Sequence, residues 1–213
     1  MTMAQDFVAN AGDEGWITTF FTNHIVAVVY SQSQNNPGVH NMGLVDGWTT
    51  GGLNIGYTGR TDTGANMPVV SVANEPGFGD TFPSYWCPYQ ANQAPHAYLR
   101  NAAPYMFTAK MDGCSFGIGG ASPNGSVRVS HCNVAGKGKE QLTMLENFFS
   151  TRTRGLRTTF GRSSYRFPVG NTASTMATTF GIRVGNDWKF YSQVYAVDII
   201  AKTLTFMALI PVL

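Results

Sequence analysis

The sequence predicts an α+β fold, a mixed or antiparallel β-sandwich flanked by a few helices, and three observations lead there. Charged residues make up only 12% of the 213 while 24 are glycine, a balance poor in solvated helix faces and rich in turns. β-Branched and aromatic residues gather in short runs separated by breaks containing Gly, Asn or Pro, the pattern of strands and their connections. One stretch past the midpoint carries a helical period instead. No repeat at a fixed period and no low-complexity linker divides the chain. Residues 1–213, 43% of them hydrophobic, are therefore expected to form a single domain around a substantial core.

In chain order, Ile17 to Tyr30, Leu53 to Tyr57 and Met67 to Ala73 read as strands with long connections such as SQSQNNPGVHN. Asn74 to His96 mixes Pro76, Pro83, Pro88 and Pro95 with Phe78, Phe82, Tyr85, Trp86 and Tyr89, which predicts an ordered aromatic loop without regular structure. In KGKEQLTMLENFFSTR, Leu142, Leu145, Phe148 and Phe149 recur at steps of three and four with Met144 in the same stripe, giving a helix that packs on a sheet. From Arg157 the strand text returns in RTTFGRSSYRF, ATTFGIRV and WKFYSQVYAVDII.

Several function classes are excluded at this level. The net charge is +2 and the basic residues are scattered, apart from Arg152, Arg154, Arg157 and Arg162, so no phosphate-binding stripe points to nucleic acid. The start MTMAQDFVANAGDEGW has neither a basic n-region nor an apolar h-region, and Leu204 to Leu213 is too short to span a bilayer. A soluble protein without a membrane span, made in the cytoplasm without a cleaved signal peptide, is expected; export by a route that needs none is compatible with this. Three cysteines do not resemble a disulfide framework, which favours a reducing compartment. GIGG at Gly117 is not followed by a helical pattern, AGKGKEQ has no Ser or Thr after its Gly-Lys steps, and no Gly-x-Ser-x-Gly elbow occurs. His24, His40, His96 and His131 stand in no HExxH or Cys-x-x-Cys setting, so neither a metal nor another cofactor is implied.

What remains is a cysteine and a histidine. Ser115–Gly119 and Ser126–Ser130 are β-like runs joined through Ala121-Ser122-Pro123-Asn124-Gly125, a hairpin by its turn residues. With the turn centred between Ser122 and Pro123, Cys114 lies directly opposite His131, with Cβ atoms about 5 Å apart. Alternation puts His131 and Cys132 on opposite faces, so Cys114 and not Cys132 shares the imidazole's side. Gly113 permits a sharp bend before the thiol, where backbone N–H groups can hold an oxyanion. A free thiol is a poor nucleophile at neutral pH, and a neighbouring imidazole remedies this by taking its proton and later returning it to the leaving group. From spacing alone the pair reads equally as a buried cysteine and a polar strand end.

Gly113-Cys114 at a strand start, the hairpin, and His131 resemble the thiol glutamine deamidases that share the catalytic domain of cytotoxic necrotizing factor, a group that includes the Burkholderia lethal factor 1 toxin and the chemotaxis deamidase CheD. Thr108, in YMFTAKMDGC, stands six residues before the cysteine, where the lethal-factor and CheD branches carry a threonine that orients the imidazole. The chain departs from the toxin wording Leu-Ser-Gly-Cys in reading Met111-Asp112-Gly113-Cys114, and an Asp facing the sulfur disfavours its thiolate. It also lacks the Gly-Ser-Cys wording of CheD, which makes a chemotaxis role the poorer fit.

The resemblance spans residues 108–131. It implies Cys114 as nucleophile, His131 as acid and base, and Thr108 as orienter, in a toxin- or effector-like monomer that needs no cofactor. Its partner is a protein with an exposed glutamine, converted to glutamate through a thioester, or joined to an amine by interception of that thioester. Two other classes stand beside this one. A Cys-His peptidase or amidase usually opens a helix with its cysteine, whereas β-like text follows Cys114. A non-enzymatic binding or assembly protein suits the low charge and the Gly- and aromatic-rich strands. Tyr85 and Trp86 read as core residues or as a wall of the site.

Overall fold

A computed structural model describes residues 1–29, 36–50, 53–74, 79–134, 138–150 and 155–213. Tyr30, the start of the SQSQNN loop, Phe78, the Ala-Gly-Lys of AGKGKEQ, Arg152 and Arg154 lie outside the described residues.

The chain opens with two helices. In α1 (Met3–Ala9) Thr2 and Gln5 cap one another reciprocally, the Gln5 N–H donating to the Thr2 hydroxyl at 3.3 Å and the Thr2 N–H to Gln5 Oε1 at 3.1 Å. In α2 (Glu14–Asn23) Asp13 accepts the Trp16 N–H at 2.9 Å. The expected strand over Ile17 to Tyr30 is thus corrected: its first half is α2 and only β1 (Ile25–Val28) is extended. The Asp13 cap, with Ile17, Phe20 and Phe21 all buried at helical spacing, overrides the β propensity of the run.

The strands that follow are β2 (Gly38–Asp46), β3 (Thr49–Thr50), β4 (Leu53–Asn54), β5 (Thr58–Arg60), β6 (Asn66–Met67), β7 (Val69–Ala73), β8 (Thr81–Cys87), β9 (His96–Leu99), β10 (Tyr105–Thr108), β11 (Ser115–Gly119) and β12 (Val127–Cys132). Then come α3 (Gly138–Ser150), β13 (Leu156–Phe160), α4 (Arg162–Tyr165), β14 (Ala173–Val184), β15 (Asp187–Asp198) and β16 (Thr203–Pro211). The protein is α+β, dominated by strands in a mixed, largely antiparallel arrangement. A ten-stranded sheet runs β1-β7-β2-β8-β10-β14-β15-β16-β5-β6, a four-stranded antiparallel sheet runs β13-β11-β12-β9, and β3 pairs with β4.

The aromatic stretch Asn74 to His96 is likewise not irregular throughout, because β8 lies centrally in the large sheet between β2 and β10. Pro83 is tolerated because pairing with β10 begins only at Ser84, so at the proline β8 has only β2 beside it.

Strand alternation sorts the core into layers. On one face of the large sheet Trp86, Tyr105, Phe107 and Phe180 pack with Phe7, Ile17 and Phe21 of the two opening helices. On its other face Met106, Ala177, Phe190 and Val194 share a buried cluster with Leu99, Phe116, Ile118, Val129 and Phe160 of the small sheet. α3 covers the outside of the small sheet through Leu145 and Phe149. Leu142, expected in that stripe, is 40% exposed, and Gln141 takes the buried place. No helix among the described residues is long and apolar enough to cross a membrane.

The approach of α3 depends on missing side chains. A Cβ on Gly117 would lie 2.9 Å from Leu145 Cδ2 and 3.0 Å from Phe149 Cε2. We expect Gly117→Ala to destabilise the fold by about 1–3 kcal/mol through overpacking, read as a lower denaturant midpoint at unchanged m-value.

Candidate active site

β11 and β12 form an antiparallel hairpin with Ser115 opposite Cys132, Phe116 opposite His131 and Ile118 opposite Val129. Phe116, rather than Cys114, therefore stands directly across from His131. The turn explains the difference. The Gly125 N–H donates to the Ser122 carbonyl at 2.9 Å, Gly125 adopts φ +73°, and the Ser122 N–H returns to the Ser126 carbonyl at 2.9 Å. Gly125 is the left-handed residue that follows the turn, so the centre of pairing falls one residue later than expected and every partner moves by two. Cys114 nevertheless keeps to the inner layer, buried with Phe116 and Ile118, but the expected contact with the imidazole is not formed: no hydrogen bond joins its sulfur to either ring nitrogen of His131. Cys132 points the other way, its sulfur 3.6 Å from Met144 Sδ of α3.

Thr108 ends β10 in the large sheet and His131 belongs to the small one, so their contact bridges the two. The Thr108 hydroxyl oxygen lies 2.6 Å from His131 Nδ1 and donates to the Cys87 carbonyl at 2.9 Å. A hydroxyl has one hydrogen, and a carbonyl can only accept. Nδ1 must therefore carry the imidazole proton, which leaves the lone pair on Nε2. That Nε2 is buried and has no hydrogen-bond partner. Burial pulls the His131 pKa down to about 3, so the ring is neutral at neutral pH.

The segment between β8 and β9 lies along this end of β12 as a strap. Pro95 O accepts the His131 N–H at 3.2 Å and the Ser130 hydroxyl at 2.9 Å, and the Asn133 N–H donates to Gln93 O at 3.0 Å. Tyr89 sets its ring edge-on to the imidazole, centroids 5.4 Å apart, and accepts from Asn133 Nδ2 at 2.5 Å. Of the aromatic stretch it is thus Tyr89 that reaches the histidine. Trp86 fills the core beneath α1 and α2, and the Tyr85 hydroxyl accepts the N–H groups of Arg100 and Ala102.

The bend before Cys114 is held from both sides. Met111 exchanges backbone hydrogen bonds of 2.7 and 2.9 Å with Ala177 in β14, and Gly113 then turns the chain into β11 at φ +156°. Buried Gln141 donates from Nε2 to the Gly113 carbonyl at 2.9 Å and to Val134 O at 3.0 Å, and accepts the Ser115 hydroxyl at 2.5 Å. The Tyr165 hydroxyl donates to the Cys114 carbonyl at 2.9 Å. Cys114 is 2% exposed, and burial, then the Asp112 carboxylate, push the pKa of its thiol up to about 12. Burial likewise raises Cys87 to about 12 and Cys132 to about 11. At neutral pH Cys114 is a neutral thiol and His131 a neutral imidazole.

Beside this bend runs a groove of about 400 Å³ that includes Asp112, Arg162, Tyr165 and Arg166. Gln141, Tyr165 and Tyr89 are the site residues that spacing does not single out. A polar residue four before Leu145 on the buried stripe of α3 is the one local sign of the first; the other two reach the site only through tertiary contacts. Compared with known protein families and with curated proteins, the sequence matches none of them.

Proposed function

We propose that this protein is a cysteine-dependent protein glutamine deamidase, with Cys114 and His131 on a catalytic hairpin of a two-sheet sandwich. The observation that carries the reading is the Thr108–His131 hydrogen bond at 2.6 Å, which fixes the tautomer whose free Nε2 lone pair can act as base. In the reaction Cys114 and Nε2, which share no hydrogen bond at rest, come together on opening of the site, and the thiol proton passes to Nε2 as sulfur attacks the carboxamide carbon. Backbone N–H groups at the Gly113–Cys114 bend face the oxyanion, and the imidazolium returns its proton to departing ammonia. Water, deprotonated by His131, then cleaves the thioester to glutamate and restores the thiol. A glutamine side chain reaches the sulfur when the strap carrying Tyr89 swings aside. The role that fits the resemblance is that of a toxin or effector.

Intact-mass and peptide mapping of candidate proteins, with a Cys114→Ser control, tests this. The expected product has one glutamine converted to glutamate and an uncut backbone. Cleavage that depends on Cys114 would instead identify a peptidase.

The burial of both groups favours a second reading, a non-enzymatic binding or assembly protein in which thiol and imidazole only fill the core. Alkylation of the native protein with iodoacetamide separates the two. A working dyad makes Cys114 the fastest of the cysteines to react, whereas an inert core leaves Cys132, the least shifted thiol, to react first.

A further inference from the structure

Arg162 opens α4 and Arg166 caps its end, one helical turn apart. Both are exposed, and neither is in a hydrogen bond or ion pair among the described residues. They line the groove that also includes Asp112 and Tyr165. The Tyr165 hydroxyl, bonded to the Cys114 carbonyl, feels the charges of Cys114, Asp112 and Arg162 together, so the guanidinium side of the groove lies close to the proposed nucleophile. The charges are also sorted. The carboxylate that the Cys114 thiol feels is Asp112, while the two unpaired guanidiniums stand at the α4 end.

We propose that this groove reads the protein substrate by holding an acidic side chain that flanks the target glutamine, with the carboxylate on Arg162 and Arg166. The inference rests on the deamidase reading and names what that site selects. A guanidinium presents a planar fork that matches a carboxylate, and two unpaired forks in one concavity make a stronger trap than scattered surface charge. A groove of about 400 Å³ has room for a short run of side chains. Asp112 completes the discrimination. It repels a carboxylate from the sulfur, so the residue presented to Cys114 is the neutral carboxamide, and the glutamate product is driven away once formed.

The test uses short blocked peptides with one glutamine flanked by two glutamates, two alanines or two lysines. Binding is read by fluorescence anisotropy on the full-length Cys114→Ser protein, which holds peptide without turning it over. The glutamate-flanked peptide should bind about ten-fold or more tighter than the lysine-flanked one. The double reversal Arg162→Glu/Arg166→Glu should invert that order, and Arg162→Lys/Arg166→Lys should retain most of it. Equal binding of the peptides, binding of none, or a preference unchanged by the double reversal overturns the proposal. Ammonia release by the unaltered protein, measured in parallel, decides the deamidase reading separately. Preference without ammonia release leaves the groove and removes the reaction; ammonia release without preference does the reverse.

Discussion

Under the proposed mechanism Cys114→Ala and His131→Ala are each expected to lower glutamine conversion by about four orders of magnitude or more, because a nucleophile and its base act as one unit and fail together. Thr108→Val should cost less, about ten- to a hundred-fold, since it removes only the partner that orients the ring. Thr108→Ser, which keeps the hydroxyl, should restore most of the rate. Val in place of Thr also leaves the buried Nδ1–H without an acceptor, so this variant should lose stability together with rate, whereas Thr108→Ser should keep both. The measurement is glutamate formation in a target protein, with circular dichroism melting to establish that each variant is folded. Full activity in a folded Cys114→Ala protein would remove the mechanism.

The second large effect is on stability against pH. In the unfolded chain His131 takes up a proton near pH 6.5, whereas burial delays this in the folded protein to about pH 3. The unfolded state therefore binds the extra proton across that window. The stability that the neutral buried ring contributes is fully present above pH 6.5 and is lost as pH falls, at up to about 1.4 kcal/mol per pH unit. The thiols act with the opposite sign. Cys114 and Cys87 ionise near pH 9.0 when unfolded and near 12 when folded, so their contribution is present below pH 9.0 and lost as pH rises towards 12. Denaturant midpoints should form a plateau between these limits. His131→Gln, which cannot titrate, should lack the part of the acid limb between pH 7 and 5; parallel profiles for the two proteins would refute the assignment.

Local patterning makes part of this architecture legible. α3 shows through the stripe ending in Phe148 and Phe149, and the hairpin through its turn tract. Alternation separates His131, facing inward, from Cys132 against Met144. Thr108 is singled out only by the resemblance, through its place six residues before the cysteine. What sequence hides is decided at a distance. Ile17, Phe20 and Phe21 carry β propensity but complete a helix face whose partners include Phe82, Phe107 and Phe180. Pro83 breaks a strand only where neighbours on both sides need its N–H, and β10 arrives one residue later. The slip of two residues at Cys114 follows from whether Gly125 sits inside the turn or just beyond it, a choice that one residue of loop geometry decides.

The strap over His131 bears on timing. It is tied to β12 by the Pro95, Gln93 and Tyr89 contacts, and each such bond contributes about 1 kcal/mol, so the opened form that the proposed reaction requires would be a minor population at rest. Throughput is then the product of two factors, how often the strap is open and how fast an opened site reacts. For the proposed reaction, a glutamine that merely collides would find the door shut almost every time. A segment already held outside it waits through many openings and is converted at the first. On the proposed deamidase reading, the protein would be latent towards nearly all the glutamines it meets and patient with one.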